Sequence, residues 1–178
     1  MTAPEIVFTR LAPAHLDLLH CWLQQPHVRE FWDDGHRTRE QVQAHYFGPD
    51  AFNPDALNTD PANASFVFTL AGRPAGYLQT YRVELSSEYA QWRSPHGETW
   101  GLDLLLGAAT DTGQGHGPQI IRAFMKLWQG LHPDLSRLLI DPDIRNIRAI
   151  RAYQKAGFSS VGELARPAAA LRILACNL

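Results

Sequence analysis

The chain has 178 residues, 45% of them hydrophobic and 19% charged, the size and make-up of one globular domain that buries about 70% of its unfolded surface. Its 16 basic and 18 acidic side chains give a net charge of −2, which excludes a basic stripe for nucleic acid or a polybasic membrane face. No apolar run approaches the roughly 18 residues of a membrane span, and residues 1–5 carry no leader-like pattern, so a single cytoplasmic domain over 1–178 is expected.

Two cysteines, Cys21 and Cys176, stand far apart with no CxxC spacing, which argues against a zinc ribbon, a redox motif or a disulfide framework. Of the eight histidines, His15 and His20 are five apart and fall on different helix faces, and none lies in an HExxH pattern. No metal site is expected.

In chain order, alternation over residues 5–11 predicts a strand, and Pro13 suits the start of a helix whose apolar face is Leu16, Leu19, Trp22 and Leu23, with Pro26 as its stop. Thr38 and Gln41 form a capping-box pattern that opens a second helix through Val42 and Tyr46. Residues 48–63 are rich in Pro, Asp and Asn and read as a loop. Period-two segments at 65–70 and 75–85, joined through Ala71-Gly72-Arg73-Pro74, predict a hairpin. A polar stretch with Tyr89 and Trp92 precedes a strand at 99–107. The turn Thr112-Gly113-Gln114-Gly115-His116-Gly117-Pro118 then enters a helix with Ile121, Phe124, Leu127, Trp128 and Leu131 on its apolar side. A strand at 136–141, a helix at 146–157 closed by Gly157, and strands near 158–164 and 169–176 complete the chain. The order β-α-α-β-β-β-α-β-α-β-β is a mixed α/β layer fold.

A strand, a glycine-rich turn and a helix in succession make an anion cradle, because glycines let backbone approach closely while the first helical N–H groups and the helix dipole face outward. Gly113, Gly115 and Gly117 are followed by Pro118, so the pattern is neither GxGxxG nor a P-loop, and dinucleotide and triphosphate readings are disfavoured.

Gly115-His116-Gly117, taken with Asn146-x-x-Ala149-Ile150-x-x-Tyr153-x-Lys155-x-Gly157-Phe158 in the next βα unit, resembles the GNAT superfamily of acyl-CoA-dependent N-acyltransferases over essentially the whole chain. The resemblance implies a mixed, mostly antiparallel central sheet of six to seven strands flanked by about four helices, with acetyl-CoA as donor. It implies that residues 113–118 hold the pyrophosphate, that the backbone of Leu105, Leu106 and Gly107 pairs with the pantetheine arm, and that Asn146 and Ala149 contact that arm. Tyr153 would sit beside the thioester sulfur. One departure is Thr112, where the family carries Arg or Gln.

Four further stretches, at 22–32, 42–46, 76–81 and 101–106, resemble aminoglycoside 6′-N-acetyltransferases. That likeness implies that Asp103 binds or deprotonates the amine, that Trp32, Tyr46 and Asp141 line the acceptor pocket, and that Glu88, Trp92 and Glu98 serve as acceptor-side counterparts. Residues 165–172 lack an Asp that this subgroup has between its last two strands, and residues 86–98 differ from its loop. The acceptor expected is a cationic small-molecule amine. Alternatives are a siderophore-type acyltransferase for hydroxylated lysine or ornithine, which generally carries His where Asp103 stands, a protein N-terminal acetyltransferase, and a non-catalytic acyl-CoA-binding module. Monomer and homodimer are both open.

Bottom-up chemistry agrees in outline. An ordinary aspartate, with a pKa of about 3.9, is a weak base, so Asp103 suits holding an ammonium and relaying its proton. A phenol such as Tyr153 suits protonating a leaving thiolate. Each residue has a plainer role open to it: Tyr153 lies at three-residue steps from Ile147 and Ile150, as a core residue would, and Asp103 could end in an ion pair with one of 14 arginines. Residues 1–98 hold 7 basic and 12 acidic side chains and residues 99–178 hold 9 and 6. The positive half contains both coenzyme motifs, and the negative half is expected to frame the acceptor.

Overall fold

The computed structural model describes residues 4–32, 36–48 and 62–178; most of the Pro- and Asp-rich loop expected at 48–63 lies outside them. Seven strands, β1 (Ile6–Arg10), β2 (Asn63–Leu70), β3 (Arg73–Arg82), β4 (Glu98–Leu106), β5 (Leu135–Ile140), β6 (Ser159–Ala165) and β7 (Ala170–Asn177), are hydrogen-bonded in the order β1-β2-β3-β4-β5-β7-β6. The β4–β5 pair is parallel, while β1–β2, β5–β7 and β6–β7 are antiparallel. Among the described residues there are five α-helices: α1 (Leu16–Leu23), α2 (Pro26–Arg29), α3 (Arg39–Phe47), α4 (His116–Leu131) and α5 (Ile147–Ala156). The additional one is α2. Pro26, expected as a stop, occupies its first turn, where a missing N–H costs nothing.

Contacts divide the chain into two compact units, Met1–Thr80 with Leu104–Thr112, and Tyr81–Asp103 with Gly113–Leu178. The first is organised by helices whose apolar faces match the sequence periodicity: Leu16, Leu19, Trp22 and Leu23 of α1 pack with Val28, Val42, Tyr46, Val67, Tyr77 and Leu105. Thr38 caps α3 as its sequence suggests, its hydroxyl accepting from Gln41 N–H while the Gln41 side chain accepts from Thr38 N–H. The β2–β3 hairpin turns through Ala71 and Gly72, both with positive φ, the combination a tight two-residue hairpin requires. Gly107 is glycine for a steric reason, since a methyl group there would overlap the Trp22 indole.

The second unit is held by α4 and α5. Phe124 and Trp128 of α4 stack at 5.5 Å between centroids, and Trp128 meets Trp100 of β4 edge to face at 5.1 Å. At Gly117 an added Cβ would stand 3.4 Å from the Ala152 side chain of α5, so this glycine marks the close approach of the two helices. Gly157 ends α5 in the left-handed region, as its sequence position suggests. A smaller cluster, Val83, Leu139 and Ala175, carries Tyr81, Tyr89 and Trp92 on its surface. The β6–β7 hairpin closes with Arg166 and Ala169 exchanging backbone hydrogen bonds of 2.8 and 3.3 Å.

Candidate active site

The parallel ladder between β4 and β5 runs from Glu98 opposite Leu135 to Gly101 opposite Leu139; β4 continues to Leu106. Asp103 therefore lies two residues past the last β5 pairing, on a strand whose next neighbours are apolar. The alternation of the strand places Gly101 and Asp103 on one face. Gly101 has no room for a side chain because the Tyr81 ring lies where its Cβ would be.

Around this strand the second unit gathers three phenols and two carboxylates. Tyr153 of α5 is only 7% exposed and packs against Phe158 with centroids 6.3 Å apart. Burial pushes its hydroxyl far above the ordinary tyrosine range, and the negative fields of Asp103 and Asp141 add to the shift. Tyr81 is raised by the same causes in the same order. Tyr89 is raised by burial first and then by Asp141, to which its hydroxyl donates a hydrogen bond of 2.5 Å. All three phenols stay protonated at neutral pH, and Tyr89 donates its proton to the bond with Asp141.

Asp141 is pushed up by burial, against the opposing effects of its Tyr89 bond and of Arg166. The folded protein thus binds this proton more tightly than the unfolded chain, and stability falls as pH rises through the window opening upward from the ordinary carboxylate range. Asp141→Asn is expected to remove that component, flattening the decline of the thermal midpoint with pH; an unchanged slope would assign the decline to other groups. Arg166 donates to the Tyr89 hydroxyl at 2.7 Å and pairs with Glu88. Trp92 packs 6.2 Å from Tyr89 and against Gly162, where any Cβ would meet the indole.

The glycine-rich turn has the conformation its sequence calls for. Gly113 and Gly115 have φ of 76° and 82°, and nothing stands within 4 Å of an added Cβ at either, so backbone conformation and not crowding demands glycine there. Gly115 caps α4 and His116 begins it; Gln114 is exposed, and the His116 Nδ1 is buried without a hydrogen-bond partner. Pro118 is buried in the first helical turn and has no N–H, so in this turn only residues 113–117 have backbone donors. Just upstream, the nearly buried Asp111 binds the Arg73 guanidinium through both oxygens, at 2.8 and 3.0 Å.

Other expected residues fall differently. Asn146 caps α5, its Oδ1 accepting from Ala149 N–H at 3.1 Å, so the oxygen of the first and the N–H of the second are committed to the helix end. Along β4, Gly107 N–H donates to Ala75 at 2.8 Å and Leu105 O lies against Gly76, both on the β3 side. Leu106 faces the opposite edge, and its carbonyl accepts from the His27 ring at 2.9 Å. Of the three backbone positions expected to meet an extended ligand, Leu106 alone is turned that way. In the first unit, Tyr46, expected on the acceptor side, is a core residue at 1% exposure, edge to face with Tyr77 at 5.5 Å. Trp32 is half-buried and contacts the same ring at 6.0 Å. Sequence reasoning missed Tyr81, Tyr89 and Arg166; the one available signal was the departure at 165–172.

Among the described residues no group of three His, Cys, Asp or Glu side chains could hold a metal ion, and no helix is long and apolar enough to cross a membrane. Residues 12–166 match the acetyltransferase (GNAT) domain family. The chain is 33% identical over 167 residues to aminoglycoside N(6')-acetyltransferase type 1 of Klebsiella pneumoniae, covering 92% of this chain and 79% of that one. Its structure is similar to that of AAC(6')-Ib in complex with paromomycin and acetyl-CoA, with a TM-score of 0.81 at 26% identity, covering 97% of this chain and 93% of the other. It is also similar to an aminoglycoside N(6')-acetyltransferase of Legionella pneumophila, with a TM-score of 0.73 at 25% identity over 99% and 94% of the two chains. The chain belongs to the GNAT acetyltransferase family.

Proposed function

We propose that this chain transfers an acetyl group from acetyl-CoA to a primary amine of a cationic, aminoglycoside-like small molecule. The observation that carries the reading is that Asp103 and Asp141 both act on the protonated phenols of Tyr81 and of Tyr153 on α5, while Tyr89 donates directly to Asp141. A paired carboxylate field attracts an ammonium group, and a neutral phenol beside it has a proton to donate. Acetyl-CoA supplies the activated thioester and a thiolate leaving group. The left-handed Gly113 and Gly115, the α4 N-terminus and the His116 ring fit its phosphates.

Asp103 holds the incoming ammonium and takes its proton, directly or through water, so that the neutral nitrogen can attack the thioester carbon. As the carbon–sulfur bond breaks, the Tyr153 hydroxyl gives its proton to sulfur; the second proton, lost by the nitrogen after its attack, restores the phenol through solvent, and the first leaves Asp103 to solvent. The high pKa of Tyr153 keeps it loaded with that proton before each turnover.

A thiol-release assay with acetyl-CoA and a panel of aminoglycosides, polyamines and N-hydroxylysine tests the reading. Acetylation of an aminoglycoside supports it, preferred turnover of N-hydroxylysine favours the siderophore-type alternative, and tight coenzyme binding with no turnover of any amine makes the domain a binding module. Failure to bind coenzyme A overturns all three.

A further inference from the structure

Arg166 sits at the tip of the β6–β7 hairpin, and from there its guanidinium reaches the acidic wall of the site. The same Nη2 pairs with Glu88 and donates to the Tyr89 hydroxyl at 2.7 Å, while that hydroxyl donates onward to Asp141 at 2.5 Å. The guanidinium also lies 5.9 Å from the centre of the Tyr89 ring. One cation belonging to the protein thus meets one carboxylate directly and a second through a single hydroxyl. The Arg166 and Glu88 side chains are 42% and 50% exposed, so the pair stands at the water boundary, where such an interaction is weak enough to exchange for an external cation.

We propose that Arg166 is a specificity-determining residue: it occupies Glu88 and Asp141 as a built-in cation, so that each further positive charge on an acceptor gains less affinity than the acidic wall would give it without the arginine. Each added ammonium on an acceptor has either to displace the guanidinium or to lie beside it, and like charges at that distance repel. The inference rests on the acetyltransferase reading for what the bound amine is used for. Its physical content, competition between Arg166 and a bound polycation, is a statement about binding.

The experiment measures binding and turnover separately. Calorimetric titration of the coenzyme A-loaded protein with kanamycin, as a polycation, and with glucosamine, as a single charge, is compared for wild type, Arg166→Gln and Arg166→Lys. Arg166→Gln is expected to tighten kanamycin about fivefold relative to glucosamine at low ionic strength, with the gain shrinking in salt, and Arg166→Lys is expected to keep the wild-type ratio. An unchanged ratio, a ratio moved toward glucosamine, or no binding of either amine by any variant overturns the proposal. Acetylation by the same proteins reports on the function independently: the binding shift without turnover leaves the Arg166 inference standing and removes the enzymatic reading.

Discussion

Tyr153→Phe is expected to lower kcat about 100-fold while leaving KM for the amine within about threefold. The substitution deletes only a hydroxyl. The ring continues to pack against Phe158 just beyond α5, so the thermal midpoint and the affinity for coenzyme A should stay at their wild-type values, and any loss of rate then belongs to the missing proton donor. Because burial, Asp103 and Asp141 all hold the phenol protonated, titration of Tyr153 should not appear in the wild-type pH–rate profile within the range where the protein remains folded. An unchanged kcat in the variant would leave Tyr153 as a core residue, the role that its spacing from Ile150 also fits.

Asp103→Asn should lower kcat/KM for a cationic amine about 100-fold, through both parameters. The amide keeps the size of the side chain but loses the charge that attracts the ammonium, which raises KM, and loses the proton acceptor, which lowers kcat. Raising ionic strength should weaken wild-type kcat/KM more than that of the variant, since screening acts on the charge that the variant no longer has. Coenzyme affinity serves as the control. Steady-state rates at two salt concentrations read all of this, and equal kcat/KM for the two proteins would remove Asp103 from the reaction.

Most of the fold was legible because its signals are local. The Thr38–Gln41 box, the Ala71-Gly72 turn, Gly115 opening α4 and Gly157 closing α5 each involve residues within one turn of one another, where backbone geometry dictates residue type. Asn146 was legible too, since Asn before a helix is a preferred cap; the carried-over ligand contact set that local role aside, and the cap holds its Oδ1. Tertiary partners left no such trace. Arg166 and Glu88 are 78 positions apart, Tyr89 and Asp141 are 52 apart, and no periodicity links them. Tyr46 shows the converse, a side chain at helical spacing whose fate is decided by the Tyr77 ring of β3. The division of charge at residue 98 was also only partly the molecule's own: Asp103 and Asp141 come from the net positive half, and join Glu88 from the negative half in the second unit.

The β6–β7 tip has an evolutionary consequence. On the proposed function, donor recognition at residues 113–117 rests on main-chain N–H groups, which most substitutions elsewhere leave unaltered, whereas the proposed acceptor wall is tuned by one arginine on an exposed four-residue turn whose backbone bonds do not depend on the identity of that side chain. A single codon change there can retune which amines are accepted without touching the sheet. The chemistry is thereby inherited conservatively while its range of acceptors stays open to selection.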